Sequence, residues 1–457
     1  MDRTELAFAG IARQADAIRA GSVSSKELVE LCLERIARLD PELNAFRVVF
    51  EERARAEAAQ ADARVKAGEE RPLLGVPVAV KDNLHVAGEV TAMGSNAYGG
   101  PAAADSEVVR RLRAAGAAVI GKTHMSELAI FPFTETIAWG QTRNPWDRGR
   151  SAGGSSGGSG TAVAAGMVGA AYASDGGGSI RIPASVAGLF GLKPQRGRVP
   201  LLPDPEHWHG LSSGGAVTRT VLDTALWLDV VANSSGDSFA EAAQKAPGRL
   251  RVALSFKPTA LVRVDGRVRT AVGRVAEALR SLGHDVVERD PDYGEISPLF
   301  FPRWAGGIRD DVRALPHPER LEKRSRQIAR LGALLGDGAI RRARAGEEAR
   351  ARRINAIFDH VDVVLTPTLP TPPDPLGRFA GRSLATTLLF VGGLVGFTTV
   401  WNVTGQPAAS IPAPVADGEL PIGAQLVGRP DDEATILSLS AQLEGELGWP
   451  ERRSSLP

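Results

Sequence analysis

The stretch that most limits what this chain can become is residues 151–194, SAGGSSGGSG TAVAAGMVGA AYASDGGGSI RIPASVAGLF GLKP. Two glycine-serine knots, residues 153–160 and 176–179, flank a run of alanine, glycine and valine. A flexible glycine-serine linker stays polar throughout. Here the small apolar residues from Thr161 to Tyr172 fit a helix and then a strand with almost no side-chain bulk. Close packing of main chain on main chain follows. Each knot then falls at the end of an element, where glycine lets N–H groups approach a ligand in conformations that side chains forbid. On these residues alone, the turn Gly176-Gly177-Gly178-Ser179 suits a phosphate as well as an oxyanion.

Charge and cysteine content narrow the function classes. With 54 basic and 53 acidic residues among 457, the net charge of +1 provides no global field to gather nucleic acid or an anionic membrane. The single cysteine, Cys32, cannot form an internal disulfide. Its neighbours Leu28, Val29, Leu31, Leu33 and Ile36 mark a buried helix position, and a reducing, cytoplasmic location is expected. The first twenty residues show helical periodicity with interspersed charges, not the apolar core of a signal peptide. The longest uncharged stretch, residues 383–416, is broken by Gly392, Gly393, Gly396, Gly405 and three prolines. It reads as core lining a pocket rather than as a membrane span.

Residues 5–40 read as two amphipathic helices, the second opened by Ser24 or Ser25 and ended before Pro41. Residues 44–49 fit a strand, 51–67 a helix, and 71–84 contain a short apolar strand that stops abruptly at Lys81-Asp82-Asn83. Asp105 is expected to cap a helix through Ala115, with a strand at 117–120. Further strands are expected at 249–255, 285–289 and 361–367, and helices over 265–282 and 296–355. The arginines from Arg320 to Arg353 read as solvated helix faces paired with Glu322, Glu347 and Glu348, not as a nucleic-acid surface. Strands alternating with helices, without internal repeats, argue for a twisted sheet covered by helices.

Three motifs point elsewhere. Residues 116–123 satisfy the phosphate-loop pattern G-x-x-x-x-G-K-T, but the expected strand lies inside the motif rather than before it. His207-Trp208-His209 suggests a metal, yet no third or fourth ligand is recognisable nearby, and a loop shaping a site entrance is expected instead. Gly153-x-Ser155-x-Gly157 fits a nucleophile elbow, with His284, His317 or His360 to complete a triad. An elbow needs an apolar strand directly before it, whereas residues 143–150 are RNPWDRGR.

The compound motif resembles the amidase signature family. Its glycine-serine segment, small-residue helix, Asp-x-Gly-Gly-Ser turn and Arg-x-Pro are matched by residues 153–158 and by Asp175-Gly176-Gly177-Gly178-Ser179-Ile180-Arg181-Ile182-Pro183. Lys81-Asp82-Asn83, residues 121–127 (GKTHMSE), 365–368 (LTPT), 402–408 and 421–428 match further family segments. The likeness is close over residues 72–428 and loose over 5–67. It implies one α/β/α sandwich with a mixed sheet, in which residues 1–70 form a helical layer on a catalytic domain of residues 71–457. It also implies no cofactor and no metal, a small-molecule amide, carbamate or ester as partner, and a homodimer as one compatible assembly.

The resemblance implies a Ser-Ser-Lys relay: Ser179 as nucleophile, Ser155 on a cis peptide as proton bridge, and Lys81 as base. A lysine serves as base only when neutral, which burial must bring about against its usual pKa of about 10.4. Gly176, Gly177 and Gly178 are the expected oxyanion hole, with Ser156, Asp175 and Arg181 in support. This chain has Gly176 where many relatives carry a bulkier residue, which suggests a more open site, and Ser174 where they carry threonine. Ile182 stands where glutamine-processing amidotransferase subunits present Gln, which argues for an apolar or aryl substrate. Ala129, Ile130, Phe131, Ile182, Phe390 and Trp401 are the candidate walls. A glutamine-processing subunit and a Ser155 elbow esterase are the alternatives to an acyl-enzyme on Ser179, and a non-catalytic scaffold is disfavoured because Lys81, Ser155 and Ser179 are all retained.

Overall fold

The computed structural model describes residues 2–233 and 236–454. Its strands are β1 (Phe46–Val49), β2 (Pro77–Lys81), β3 (Ala118–Thr123), β4 (Glu135–Thr136), β5 (Gly140–Gln141), β6 (Ala170–Asp175), β7 (Phe190–Lys193), β8 (Ser213–Thr218), β9 (Arg251–Leu254), β10 (Asp285–Glu288), β11 (Val363–Pro367), β12 (Ala408–Pro412) and β13 (Gly423–Val427). Eleven of them form one mixed sheet in the order β1-β3-β2-β6-β8-β7-β12-β13-β11-β9-β10, and β4 and β5 pair on their own. The runs β3-β2-β6 and β11-β9-β10 are parallel, and the strands between them are antiparallel. The sheet is flanked by helices, as expected of an α/β/α sandwich.

Period-two alternation divides the core. Val78, Val80, Val119, Ala170 and Tyr172 pack with the helices Gly10–Arg19, Glu107–Ala114 and Val221–Val231. Ala79, Ala118, Ile120, Ala171 and Ala173 turn the other way, against the helices Ser25–Leu43 and Gly157–Ala164. That second face is nearly all alanine along β2 and β6, so a helix made of glycine, serine and alanine can lie close on it. Gly158 shows how close: a Cβ there would fall 2.4 Å from the Ala45 carbonyl oxygen and 2.5 Å from the His124 nitrogen. Every residue of the helix Gly157–Ala164 is buried.

Several local expectations need correction. The helix that opens at Ser25 does not stop before Pro41 but runs to Leu43. Proline removes a single N–H, while buried Leu43 anchors one more turn, and the Asn44 N–H closes it on the Asp40 carbonyl at 2.8 Å. Asp105 does not cap the following helix; Ser106 holds that position, and Asp105 accepts from the Ala87 N–H at 2.8 Å. β3 reaches Thr123, so Gly121, Lys122 and Thr123 lie within a strand rather than in a phosphate-binding loop. Lys122 is fully buried, with its ammonium 2.8 Å from Asp82. Arg324 pairs with Glu322 and Arg352 with Glu348, but Glu347 pairs with Arg196 and Arg303, outside the arginine-rich region. Among the described residues no helix is long and apolar enough to cross a membrane.

Candidate active site

β2 and β6 are parallel neighbours, so Lys81 at the end of one and Ser174-Asp175 at the end of the other emerge at the same edge of the sheet. Ser155 is delivered to that edge by a cis Gly154–Ser155 peptide, two residues before the helix Gly157–Ala164 begins. Lys81 Nζ donates to Ser155 Oγ at 2.7 Å and to Ser174 Oγ at 2.9 Å. Asn83 Nδ2 lies 3.4 Å from the same Ser174 oxygen. Lys81 is wholly buried, and burial pushes its pKa down to about 7, against the opposing pull of the Asp175 charge. Ser156 donates to the Ser174 carbonyl at 3.3 Å.

The turn at residues 176–179 is braced from within. The Asp175 carboxylate accepts from the Gly178 N–H at 2.6 Å, from the Ile180 N–H at 3.2 Å and from Arg181 through two bonds of 2.9 Å. Burial opposes its ionisation, but Arg181 and Asn402 outweigh burial and hold it below the usual carboxylate range. Arg181 in turn donates to Asn402 Oδ1 at 2.7 Å, to Gln425 Oε1 at 2.8 Å and to the Thr398 carbonyl at 3.0 Å. The Gly178 N–H is therefore committed to Asp175. Gly176 and Gly177 are the glycines of the turn whose N–H groups enter no hydrogen bond among the described residues. No Ser155–Ser179 hydrogen bond is formed among the described residues.

Ser179 opens onto a cavity of about 280 Å³. Ala129, Ile130, Phe131 and Ile182 line it, as expected. Phe390 and Trp401 do not. Phe390 sits on the exposed side of the helix Leu384–Leu394, 5.2 Å from the Arg378 guanidinium and 5.8 Å from that of Arg382. Trp401 is wholly buried behind the site, edge-on to Tyr293 at 5.9 Å. The uncharged stretch supplies other walls instead, Leu388, Val391, Gly392, Val395 and Thr399. The remaining apolar wall, Phe300, Phe301 and Trp304, comes from the helix Ser297–Ala314. That helix carries aromatic residues on successive turns, a signal readable as ordinary core. Among the described residues, none that lines it carries a charge.

The vacancy expected from Gly176 is filled. A Cβ at that position would lie 2.6 Å from Cε3 and Cζ3 of Trp208, whose indole takes up the space. The site is thus not more open on this side, and the residue responsible lies thirty-two positions along the chain, where no local pattern points to it. His207-Trp208-His209 forms a one-turn element, with Trp208 at the cavity. The fold does bring Asp204 and Asp311 within 4.8 Å of His207, which sequence spacing conceals. Those groups are already engaged, since His207 bonds Ser212 Oγ at 2.7 Å and Asp311 accepts from Trp208 Nε1 at 3.0 Å.

The histidines an elbow would need lie elsewhere. His284 is bonded to the Leu250 N–H and to Gln442, His317 faces Glu319, and neither these nor His360 lines the cavity. Glu127, of the GKTHMSE segment, is buried and accepts from the Glu322 N–H and Ser325 Oγ, tying this segment to the start of the helix Lys323–Ala345.

A buried lysine against two serines thus lies beside a glycine turn that opens on an uncharged cavity, on an α/β/α scaffold. Comparison with known proteins gives this chain its family. The Amidase family model matches residues 27–437. A Mycobacterium tuberculosis protein provisionally named amidase AmiB2 is 52% identical over the whole of both chains. The structure of 6-aminohexanoate cyclic dimer hydrolase superposes with a TM-score of 0.91 at 30% identity, covering 98% of this chain and 99% of that one. A bacterial aryl acylamidase superposes with a TM-score of 0.86 at 26% identity, covering 97% and 98%. The chain belongs to the amidase signature family and is a hydrolase of amides.

Proposed function

We propose that this enzyme cleaves small, uncharged amides with apolar or aryl groups through an acyl-enzyme on Ser179. The observation that carries the reading is the 2.7 Å contact of Lys81 Nζ with Ser155 Oγ in a site buried enough to bring that amine near neutrality at physiological pH. Ser179 attacks the scissile carbonyl carbon, and its proton passes to Ser155 as Ser155 gives its own to neutral Lys81. The carbonyl π electrons move to oxygen, and the N–H groups of Gly176 and Gly177 receive the charge, the third expected donor, Gly178, being held by Asp175. As the C–N bond breaks, the amine leaves with a proton returned from Lys81 through Ser155. Water then repeats the sequence on the acyl group, releasing the acid and restoring Ser179. The Ser155–Ser179 leg closes on substrate binding, as catalytic hydrogen bonds in empty sites commonly do. Carbamates and esters pass through the same tetrahedral path.

Supporting the substrate class are the uncharged cavity wall, Ile182 within it, and an aryl acylamidase among the solved relatives. A hydrolysis screen over short anilides, aryl carbamates and free glutamine tests it. The expected result is turnover of anilides or carbamates with glutamine untouched; preferential hydrolysis of glutamine would reverse the assignment and point to an amidotransferase subunit.

A further inference from the structure

We infer that Trp208 sets the size of the substrate group accepted beside the oxyanion turn, and that it does so from a slot cut by two glycines on different elements. Gly176, in the turn, and Gly307, in the helix Ser297–Ala314, face the indole from two sides: a Cβ at residue 176 would meet Cε3 at 2.6 Å, and one at residue 307 would meet Cδ1 at 2.5 Å. Neither contact involves the far end of a flexible chain, so neither glycine can gain a side chain without moving the ring. The ring is also held by its polar end, where Nε1 donates to Asp311 Oδ2 at 3.0 Å. Its backbone takes the left-handed conformation, φ +52°, with His209 at φ +53°, a setting uncommon for bulky residues. The indole is 4% exposed and lines the cavity that Ser179 opens onto.

These observations share one consequence. The volume a side chain at residue 176 would occupy is occupied by a planar ring anchored elsewhere, so selectivity on this flank is separated from the main chain that binds the oxyanion. A flat or compact substituent can lie along the indole, whereas a branched one meets it. Asp311 and Gly307 act through Trp208 and are positioning residues, since neither lines the cavity.

The inference rests on Ser179 as the nucleophile, and its test keeps the two apart. kcat/KM is measured for two substrate pairs: acetyl and pivaloyl p-nitroanilides, which differ in acyl bulk, and the acetyl amides of p-nitroaniline and aminonaphthalene, which differ in leaving-group bulk. Each protein is labelled in parallel with a small fluorophosphonate. Trp208→Ala is expected to move at least one ratio toward the bulkier partner by about tenfold or more, the scale at which an apolar pocket discriminates. Gly307→Ala, whose Cβ would meet both Cδ1 and the main-chain Cα of residue 208, should shift the same ratio. Trp208→Phe, which keeps a ring but loses the bond to Asp311, stands in if the alanine variant does not fold. Ratios within about twofold in every variant, with Ser179 still labelled, overturn the inference. Failure to label Ser179 in the unaltered enzyme strikes the nucleophile instead, while the ratios still report on Trp208.

Discussion

Lys81 Nζ lies 2.7 Å from Ser155 Oγ and 2.9 Å from Ser174 Oγ, so among the described residues two hydroxyls and no carboxylate make direct contact with the amine. The carboxylate whose charge pulls its pKa upward, Asp175, is itself paired with Arg181. Burial therefore governs and pushes the amine's pKa down to about 7. The neutral form is the base. kcat/KM is expected to fall about tenfold per pH unit as the pH drops below 7 and to level above it, with Lys81→Met inactive across the range. A pH-rate profile on an anilide that is flat, or that falls toward alkaline pH, contradicts this role.

The two serines separate by labelling. A fluorophosphonate adduct is expected on the peptide containing Ser179, and Ser179→Ala should carry none. Ser155→Ala removes the proton bridge but leaves the attacking oxygen and the turn, so slow labelling of Ser179 should persist. Mass mapping of the digested protein decides; an adduct on Ser155 alone would sink the proposed mechanism.

Arg181 and Asp175 are each wholly buried, and Arg181 also satisfies Asn402, Gln425 and the Thr398 carbonyl. Arg181→Met leaves a buried carboxylate without its partner, and the expected loss is about 3–5 kcal/mol of stability. Urea unfolding followed by circular dichroism measures it. A midpoint unchanged from the parent enzyme would show that the turn does not depend on this pair.

Glu127 shows the opposite charge logic. Burial raises its pKa to about 7 from the ordinary 4.5, ahead of the lowering effect of Ser325 and the Glu322 N–H. Its protonated form is therefore the one favoured by folding. The stability it contributes is complete below 4.5 and is lost as the pH rises through about 7. Glu127→Gln should flatten this part of the profile, and denaturation midpoints compared at about pH 5 and about pH 8 check it.

Phe390 tests the revised cavity. Packed against the guanidinium groups of Arg378 and Arg382 and absent from the cavity wall, it should be replaceable by serine with kcat/KM for anilides changed by no more than about twofold, the scale of an ordinary surface substitution. Phe300→Ala, on the wall itself, should cost more. A large loss in Phe390→Ser alone would restore the sequence-based expectation.

The sheet and the meeting of Lys81 with Ser155 were legible because both are written in local residue types. A short apolar run in β2 and small apolar residues leading into β6 announce strands, and runs of glycine announce close main-chain approach. The residues that fill space from afar were not legible. Trp208 enters the vacancy beside Gly176 from another element, and the wall of Phe300, Phe301 and Trp304 sits on a helix whose aromatic spacing matches that of any core helix. Phe390 was misread for a related reason. An uncharged stretch reveals which segment approaches the cavity, but the helical phase that turns Leu388 and Val391 inward and Phe390 outward depends on where Ser383 caps the helix.

The alanine face of β6 and the helix Gly157–Ala164 pack main chain against main chain, whereas the cavity's far walls come from the segments around 297–304 and 388–399, tied to the glycine turn where Thr398 Oγ1 donates to the Gly177 carbonyl at 2.7 Å. Heritable change is thereby partitioned. Enlargement in the first region, as at Gly158, is expected to cost the fold its stability, while the second should tolerate exchange of one apolar shape for another. A lineage built on this plan can acquire new substrates through replacements in a few dozen residues while its hydrolytic apparatus stays frozen, and a saturation-mutagenesis map of the chain would show that divide as two sharply different bands of tolerance.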